Sequence, residues 1–236
     1  MSGAAQKSNA PVVAVLGMHR SGTSWLAGSL QGRGLELGDV SLKNANNRRG
    51  NREHPTLLAL HEGVLEDGGG SWRAPPAVSG WAPARLATLR SFVIEMNARF
   101  GRWGFKDPRT LLFLDTWRRE VPQGLQPVGI FRHPGAVHQS LAARHPSLTP
   151  AGSARMWTLY NRRLLEEWRR APFPLLRFDV SDDDRASALN DVCRTLALAS
   201  YGADFFAADL MHHEGRHDVP EVCAEVWAGL LAARAA

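Results

Sequence analysis

The stretch from Pro11 to Trp25, PVVAVLGMHRSGTSW, constrains the fold more than any other part of the chain. Val12–Leu16 is an unbroken apolar run bounded by proline and glycine. Such a run reads as a strand buried on both faces, and strands of that kind belong to parallel sheets covered by helices. The residues that follow carry two glycines, several hydroxyls and one cation, then pass into a helical pattern. A Gly-rich turn from strand into helix points backbone N–H groups, and the positive end of the helix dipole, at a bound anion. The spacing Gly17-x4-Gly22 is that of a phosphate-binding loop. That pattern next demands lysine and Ser/Thr, to hold β/γ-phosphates and Mg²⁺. Here Thr23-Ser24 follow Gly22, and Arg20 lies inside the loop. A loop of this shape without the lysine suits a diphosphate-like anion better than ATP chemistry.

The rest of the chain alternates short apolar runs with helical patterns, which predicts an α/β single domain with a central parallel β-sheet flanked by helices. Expected strands are Val12–Leu16, a short one at 103–105, Pro127–Phe131 and Leu175–Phe178. Expected helices cover Thr23–Gln31, Pro55–Glu66, Pro83 to about Phe100, Gly135–Arg144, Pro150–Arg170, Asp182–Ala199 and Glu221–Arg234. The helix from Pro55 is expected to bury Leu57, Leu58, His61 and Leu65. The stripe Trp157, Tyr160, Leu164 and Trp168 has helical spacing and reads as core. Residues 38–53 and 68–82 are long loops, and loops of that length are often functional. Residues 1–10 are small and polar and read as a tail; 11–236 form the domain, in which Gly68–Ala82 carries Trp72 and Trp81.

Three strand ends carry polar motifs: GMHRSGTS, Lys106-Asp-Pro-Arg109 and Arg132-His-Pro134. Ligands of open parallel sheets bind outside the carboxyl ends of the strands, so the three motifs point to one site. Of 28 basic residues only Lys7, Lys43 and Lys106 are lysine, which makes Lys106 inside a motif notable. The net charge of +5 favours an anionic ligand. The arginine pairs are scattered, with no aromatic-interleaved basic face, so nucleic acid is not expected as a partner. No run approaches the roughly 20 apolar residues of a membrane helix. No signal-peptide pattern opens the chain, which suggests the cytoplasm. Cys193 and Cys223 form no CxxC pair and read as reduced, buried thiols.

GMHRSGTSW resembles the 5′-phosphosulfate loop of sulfotransferases that use 3′-phosphoadenosine 5′-phosphosulfate (PAPS). Cytosolic members of that family usually carry a lysine in the loop, and many bacterial ones carry arginine, as at Arg20. A second motif agrees. The family reads the 3′-phosphate with a strand-end arginine and a serine eight residues on, matched here by Arg132 and Ser140 in FRHPGAVHQSLAAR. Guanidinium and hydroxyl both suit a dianionic phosphate. The resemblance spans roughly residues 12–180. LRFDV, from Leu176, is similar to the family's late strand. HEGRHDVP, from His213, is similar to the loop that closes over the cofactor in carbohydrate sulfotransferases, which makes Arg216 a candidate phosphate contact.

The resemblance implies a P-loop NTPase-like sulfotransferase architecture and transfer of a sulfuryl group to an acceptor hydroxyl. PAPS is the implied co-substrate, and no metal is required. It implies that Gly17, His19, Arg20, Ser21, Gly22, Thr23, Ser24 and Trp25 hold the 5′-phosphosulfate. Lys106 falls where the family has its second catalytic lysine, though Lys-Thr-His there is Lys-Asp-Pro here. The base histidine of the cytosolic enzymes is therefore missing. Glycan sulfotransferases use a glutamate after the first helix, which makes Glu53 the first candidate base, His54 the second and Asp107 the third. The blander reading of Lys106 is an ion pair with Asp107 or Asp115. That of Glu53 is an acid placed ahead of a helix. His133 is expected to shape the Arg-His-Pro turn. The acceptor is expected to be a small molecule or glycan, first a sugar hydroxyl and second a phenolic or lipid one, bound beside Trp72 and Trp81. The alternatives are a P-loop kinase, which lacks its lysine here, and a non-catalytic nucleotide-binding module.

Overall fold

The computed structural model describes residues 10–42, 50–77, 80–199 and 218–235. Strand β1 (Val12–Leu16) is buried at every position because it runs between β2 (Gly104–Lys106) and β3 (Leu125–Phe131), with β4 (Leu175–Arg177) beyond β3. All neighbours are parallel, and the register sets Val15 opposite Lys106 and Leu16 opposite Gly129. The carboxyl ends of β1, β2 and β3 therefore lie side by side, and with them the three polar motifs.

Side chains alternate across a strand, so β1 feeds two cores. Val12, Ala14 and Leu16 face a large cluster built with α2 (Pro55–Asp67), α3 (Pro83–Arg99), α4 (Leu114–Glu120), α5 (Pro134–Ala142), α6 (Pro150–Arg170) and α8 (Glu221–Ala235). Val13 and Val15 face a smaller one built with α1 (Thr23–Gln31) and α7 (Asp182–Thr195). Cys223 sits in the first cluster and Cys193 in the second, both as free buried thiols.

Helix starts follow the sequence closely. Proline opens α2, α3, α5 and α6, where its fixed φ and missing N–H cost nothing. His133 does shape its turn, since its Nδ1 accepts from the Gly135 amide at 3.2 Å. The proline starts α5 one residue earlier than expected.

Elsewhere the structure corrects the sequence reading. The stretch after β2 is a 3-10 turn (Pro108–Leu112) followed by α4, both too short for a periodic pattern to reveal. Strand β3 starts two residues before Pro127; the proline is tolerated because β4 pairs only with Gly129–Phe131. Helix α7 ends at Thr195, not Ala199, because Ala197 turns left-handed at φ 48 and the Leu198 amide closes back on Cys193. In α2 the buried residues include Leu57, Leu60, His61, Val64 and Leu65, whereas Leu58 stays half-exposed. Residues 1–9 of the expected tail lie outside the described residues.

Candidate active site

The loop after β1 needs its glycines for space. A Cβ on Gly17 would meet the Ile130 carbonyl at 2.4 Å. Gly22 has φ 92, and a Cβ there would meet the Phe178 ring at 2.3 Å. Gly22 also occupies the cap position of α1, with no side chain accepting from the first-turn amides. The helix therefore presents Thr23, Ser24 and Trp25 amides to the loop, which is what an anion needs. Ser21 is fully buried and its hydroxyl has no partner. Thr23 is buried with its methyl against Gly17. The Ser24 hydroxyl donates to the Asn51 carbonyl at 3.0 Å, tying the incoming 50–53 segment to the helix start. Trp25 is placed in the smaller core, 5.9 Å from the Phe178 ring, so its ring belongs to packing while its amide belongs to the loop.

Arginines converge on this loop. Arg20 holds the left-handed φ of 69 and donates from Nε to the Ser140 hydroxyl at 2.7 Å. Arg132 is nearly buried, lies over the Phe178 ring at 5.3 Å and reaches toward the Arg20 carbonyl at 3.5 Å. Its Nε is buried without a partner. Burial, then the charges of Arg144 and Arg132, pull the Arg20 guanidinium down to about 10. A depression of that size makes the charged form roughly 3 kcal/mol less comfortable than in water. Burial likewise lowers Arg132, only partly offset by Asp179. Arg144 was missed in the sequence reading. It lies four residues after Ser140, just past the end of α5, and the expected Gly135–Arg144 helix would have put the two on one side, which was the available clue.

Lys106 and Glu53 meet. Lys106 Nζ donates to Glu53 Oε1 at 2.7 Å, with Lys106 2% and Glu53 13% exposed. The Lys106 pair with Asp107 or Asp115 is thereby corrected: Asp115 is at the surface with Arg118 and Arg170, and Asp107 has other partners. Glu53 is carried by a segment pinned to Ser41 in both directions, Ser41 N to Glu53 O and Arg52 N to Ser41 O. His54, the second candidate base, caps α2: its Nδ1 accepts from the Thr56 amide at 3.3 Å, and its ring stands edge-on to Phe92. Burial lowers its pKa.

Asp107, the third candidate, is a buried brace. Its Oδ1 accepts from the Arg109 amide and Nη1, both at 2.9 Å, and its Oδ2 faces His61 Nδ1 at 3.1 Å. Trp117 Nε1 can only donate, and it donates to His61 Nε2 at 3.0 Å. The ring proton of a neutral His61 is therefore on Nδ1, given to Asp107. Arg109 Nη2 continues the chain to Glu62 at 2.8 Å. Burial pushes the Asp107 carboxyl up, but the His61 hydrogen bond and the Arg109 charge and amide prevail and hold it well below the usual carboxylate range. A carboxylate so committed is a poor base. The sequence reading left His61 as core and did not assign Arg109; a histidine on an apolar helix face carries no signal until its partners are known.

His19 stands on the other side of the loop. Part of the residue reaches the surface, yet both ring nitrogens are buried and lack a hydrogen-bond partner. Its ring lies 4.4 Å from Trp72 and edge-on to Tyr160 at 5.8 Å. The Tyr160 hydroxyl donates to the Trp72 carbonyl at 2.8 Å, and Arg73 bonds His145 at 3.0 Å, so the 68–77 loop is fastened over the site. Trp81 instead packs edge-on to Phe113 and His61. Both tryptophans are half-buried rather than exposed. Arg216 lies outside the described residues.

The residues fit a doubly charged phosphate ester. Uncapped amides, a buried Ser21 hydroxyl and Arg132 Nε without partners, and arginines depressed first by burial all call for anionic oxygen. Among the described residues no cluster of His, Cys, Asp and Glu is arranged to hold a metal, and no helix is long and apolar enough to cross a membrane.

No protein-family model and no curated protein sequence matches the chain. A solved structure does: the sulfotransferase domain from the Synechococcus PCC 7002 olefin synthase, with a TM-score of 0.55 over 98% of this chain and 95% of that one, at 16% identity. At that identity the likeness is one of fold. The chain is a single α/β domain whose four-stranded parallel sheet and flanking helices match a sulfotransferase fold.

Proposed function

We propose that the protein is a sulfotransferase that moves a sulfuryl group from PAPS to the hydroxyl of a small-molecule or glycan acceptor. The observation that carries this is the uncapped start of α1 with Arg20 bound to Ser140 and set among Arg132 and Arg144. That arrangement offers two phosphate sites side by side and no lysine for a γ-phosphate. Arg20 and the amides of Gly22, Thr23 and Ser24 hold the 5′-phosphosulfate, with the buried Ser21 hydroxyl as a further donor. Arg132 and Ser140 hold the 3′-phosphate, and Arg216 is a candidate to join them.

PAPS would supply a sulfuryl group activated as a phosphosulfate anhydride; positioning and charge stabilisation are left to the chain, as in phosphoryl transfer. Lys106 steadies negative charge on the transferring group or the leaving oxygen. Glu53, with one oxygen on Lys106 and the other uncommitted to it, takes the acceptor proton. His54 is set aside as base because its Nδ1 is engaged as a helix cap. The cytoplasm is the expected compartment.

Calorimetry with 3′-phosphoadenosine 5′-phosphate, beside ATP with and without Mg²⁺, tests the reading. Metal-independent binding of the bisphosphate, much tighter than of ATP, is expected. Tight Mg²⁺-ATP binding with no preference for the 3′-phosphate overturns it in favour of a kinase. Bisphosphate binding without sulfuryl transfer to any hydroxyl in an acceptor screen leaves a binding module.

A further inference from the structure

The imidazole of His19 is the polar group in the site with the least to do. A neutral imidazole offers one donor and one acceptor, and here both nitrogens are buried with no partner. Leaving such groups unpaired costs about 1–3 kcal/mol each. The neighbouring polar groups bond elsewhere. The Tyr160 hydroxyl is given to the Trp72 carbonyl, Lys106 to Glu53, and the Arg109 Nη atoms to Asp107 and Glu62. The ring is flanked by Trp72 at 4.4 Å and, edge-on, by Tyr160 at 5.8 Å, so its surroundings are aromatic. His19 also precedes Arg20 in the chain, so it stands at the edge of the anion loop.

We propose that His19 is the residue that receives the acceptor: the hydroxyl to be sulfated docks on its imidazole, beside the Trp72 and Tyr160 rings, and Trp72 gives way to admit it. This deepens the sulfuryl-transfer reading and rests on it. A hydroxyl is the complement of a neutral imidazole, since it both donates and accepts. Burial and the charges of Arg109, Lys106 and Arg20 outweigh Asp107 and hold His19 well below the usual histidine range, so the ring stays neutral near pH 7 and keeps its acceptor nitrogen. The bond orients the acceptor oxygen beside Arg20, and the proton lost on transfer goes to Glu53. The aromatic neighbours favour an acceptor with a flat or apolar face next to its hydroxyl, as phenols and sugars both have.

The test uses the full chain saturated with 3′-phosphoadenosine 5′-phosphate, with phenol and methyl glucoside as hydroxyl probes. The side-chain NMR signals of His19, assigned through bonds in the wild type, are followed during each titration. They are expected to move when a probe binds. His19→Ala is expected to weaken the probe by about tenfold or more while changing the bisphosphate by less than about threefold. His19→Asn, which keeps a donor and an acceptor, recovers part of that loss. His19 signals that stay still through both titrations overturn the proposal, as does a His19→Ala loss that falls on the bisphosphate. The wild-type titration decides the matter even if a variant fails to fold. Failure of the wild type to bind the bisphosphate is a separate result, seen before any probe is added, and it removes the sulfuryl-transfer reading itself.

Discussion

At the residue scale, the site is a set of cations that differ in what answers their charge. Lys106 has Glu53, and Arg109 has Asp107 and Glu62. Arg20 instead bonds a hydroxyl, and its strongest charged neighbours are two more arginines. The Gly17-x4-Gly22 spacing marked an anion loop around Arg20, and the resemblance implied the roles of Arg20 and Arg132; both were within reach because the loop and the strand-end arginine with a serine two turns on are local patterns. Arg109, His61 and Arg144 were not, because their roles depend on partners from other elements. The proposed division of labour makes Arg132 specific to the 3′-phosphate. Arg132→Ala should weaken 3′-phosphoadenosine 5′-phosphate by roughly 10–100-fold, the worth of a charged hydrogen bond, and adenosine 5′-phosphate by much less. Calorimetry with the two nucleotides measures the ratio. Equal losses for both would move Arg132 from recognition to packing against Phe178.

At the element scale, the start of α1 decides whether the anion loop exists. Gly22 does two things there: it adopts φ 92, and it leaves room for the Phe178 ring that follows β4. The Gly17-x4-Gly22 spacing made the loop legible, but the reason for the second glycine lies across the sheet in a residue 156 positions later. The two causes separate by substitution. Gly22→Ala should destabilise the protein by roughly 1–2 kcal/mol from backbone strain alone, plus the clash with Phe178. Adding Phe178→Ala to that background should cost less than Phe178→Ala in the wild type, because it relieves the clash. Urea unfolding of the four proteins gives the coupling. Strict additivity would mean that the ring already has room, and only the φ requirement holds the glycine. The loops at 50–53 and 68–77 were recognisable as loops from their composition. That the first carries Glu53 onto Lys106 and the second lays Trp72 on His19 was beyond periodicity, since nothing local encodes where a loop docks.

At the scale of the whole molecule, the parallel sheet was legible in the sequence, because an all-apolar β1 reads as buried on both faces and alternates with helical patterns; the order of the strands was not. What that pattern leaves open is how the β2 end is braced, and the answer is the chain from Trp117 through the buried His61, Asp107 and Arg109 to the half-exposed Glu62. It joins α4, α2 and the 3-10 turn through Asp107, the residue that follows Lys106, so it should matter to stability as well as to the site. Asp107 has its folded pKa depressed, so the charged carboxylate stabilises the fold at any pH above the usual value of about 4, and that contribution is lost as pH falls through the lower folded value. Asp107→Asn leaves Arg109 short of a counter-charge and turns an amide donor or a weaker acceptor toward His61. The expected loss is about 3–5 kcal/mol at pH 7, as for breaking a buried ion pair. The gap between wild type and variant should stay constant from pH 7 down to about 5 and narrow below about 4. Denaturant unfolding across that range reads both numbers. A gap that persists unchanged at pH 3 would mean that shape and hydrogen bonding hold this brace together, and the charge of Asp107 does not.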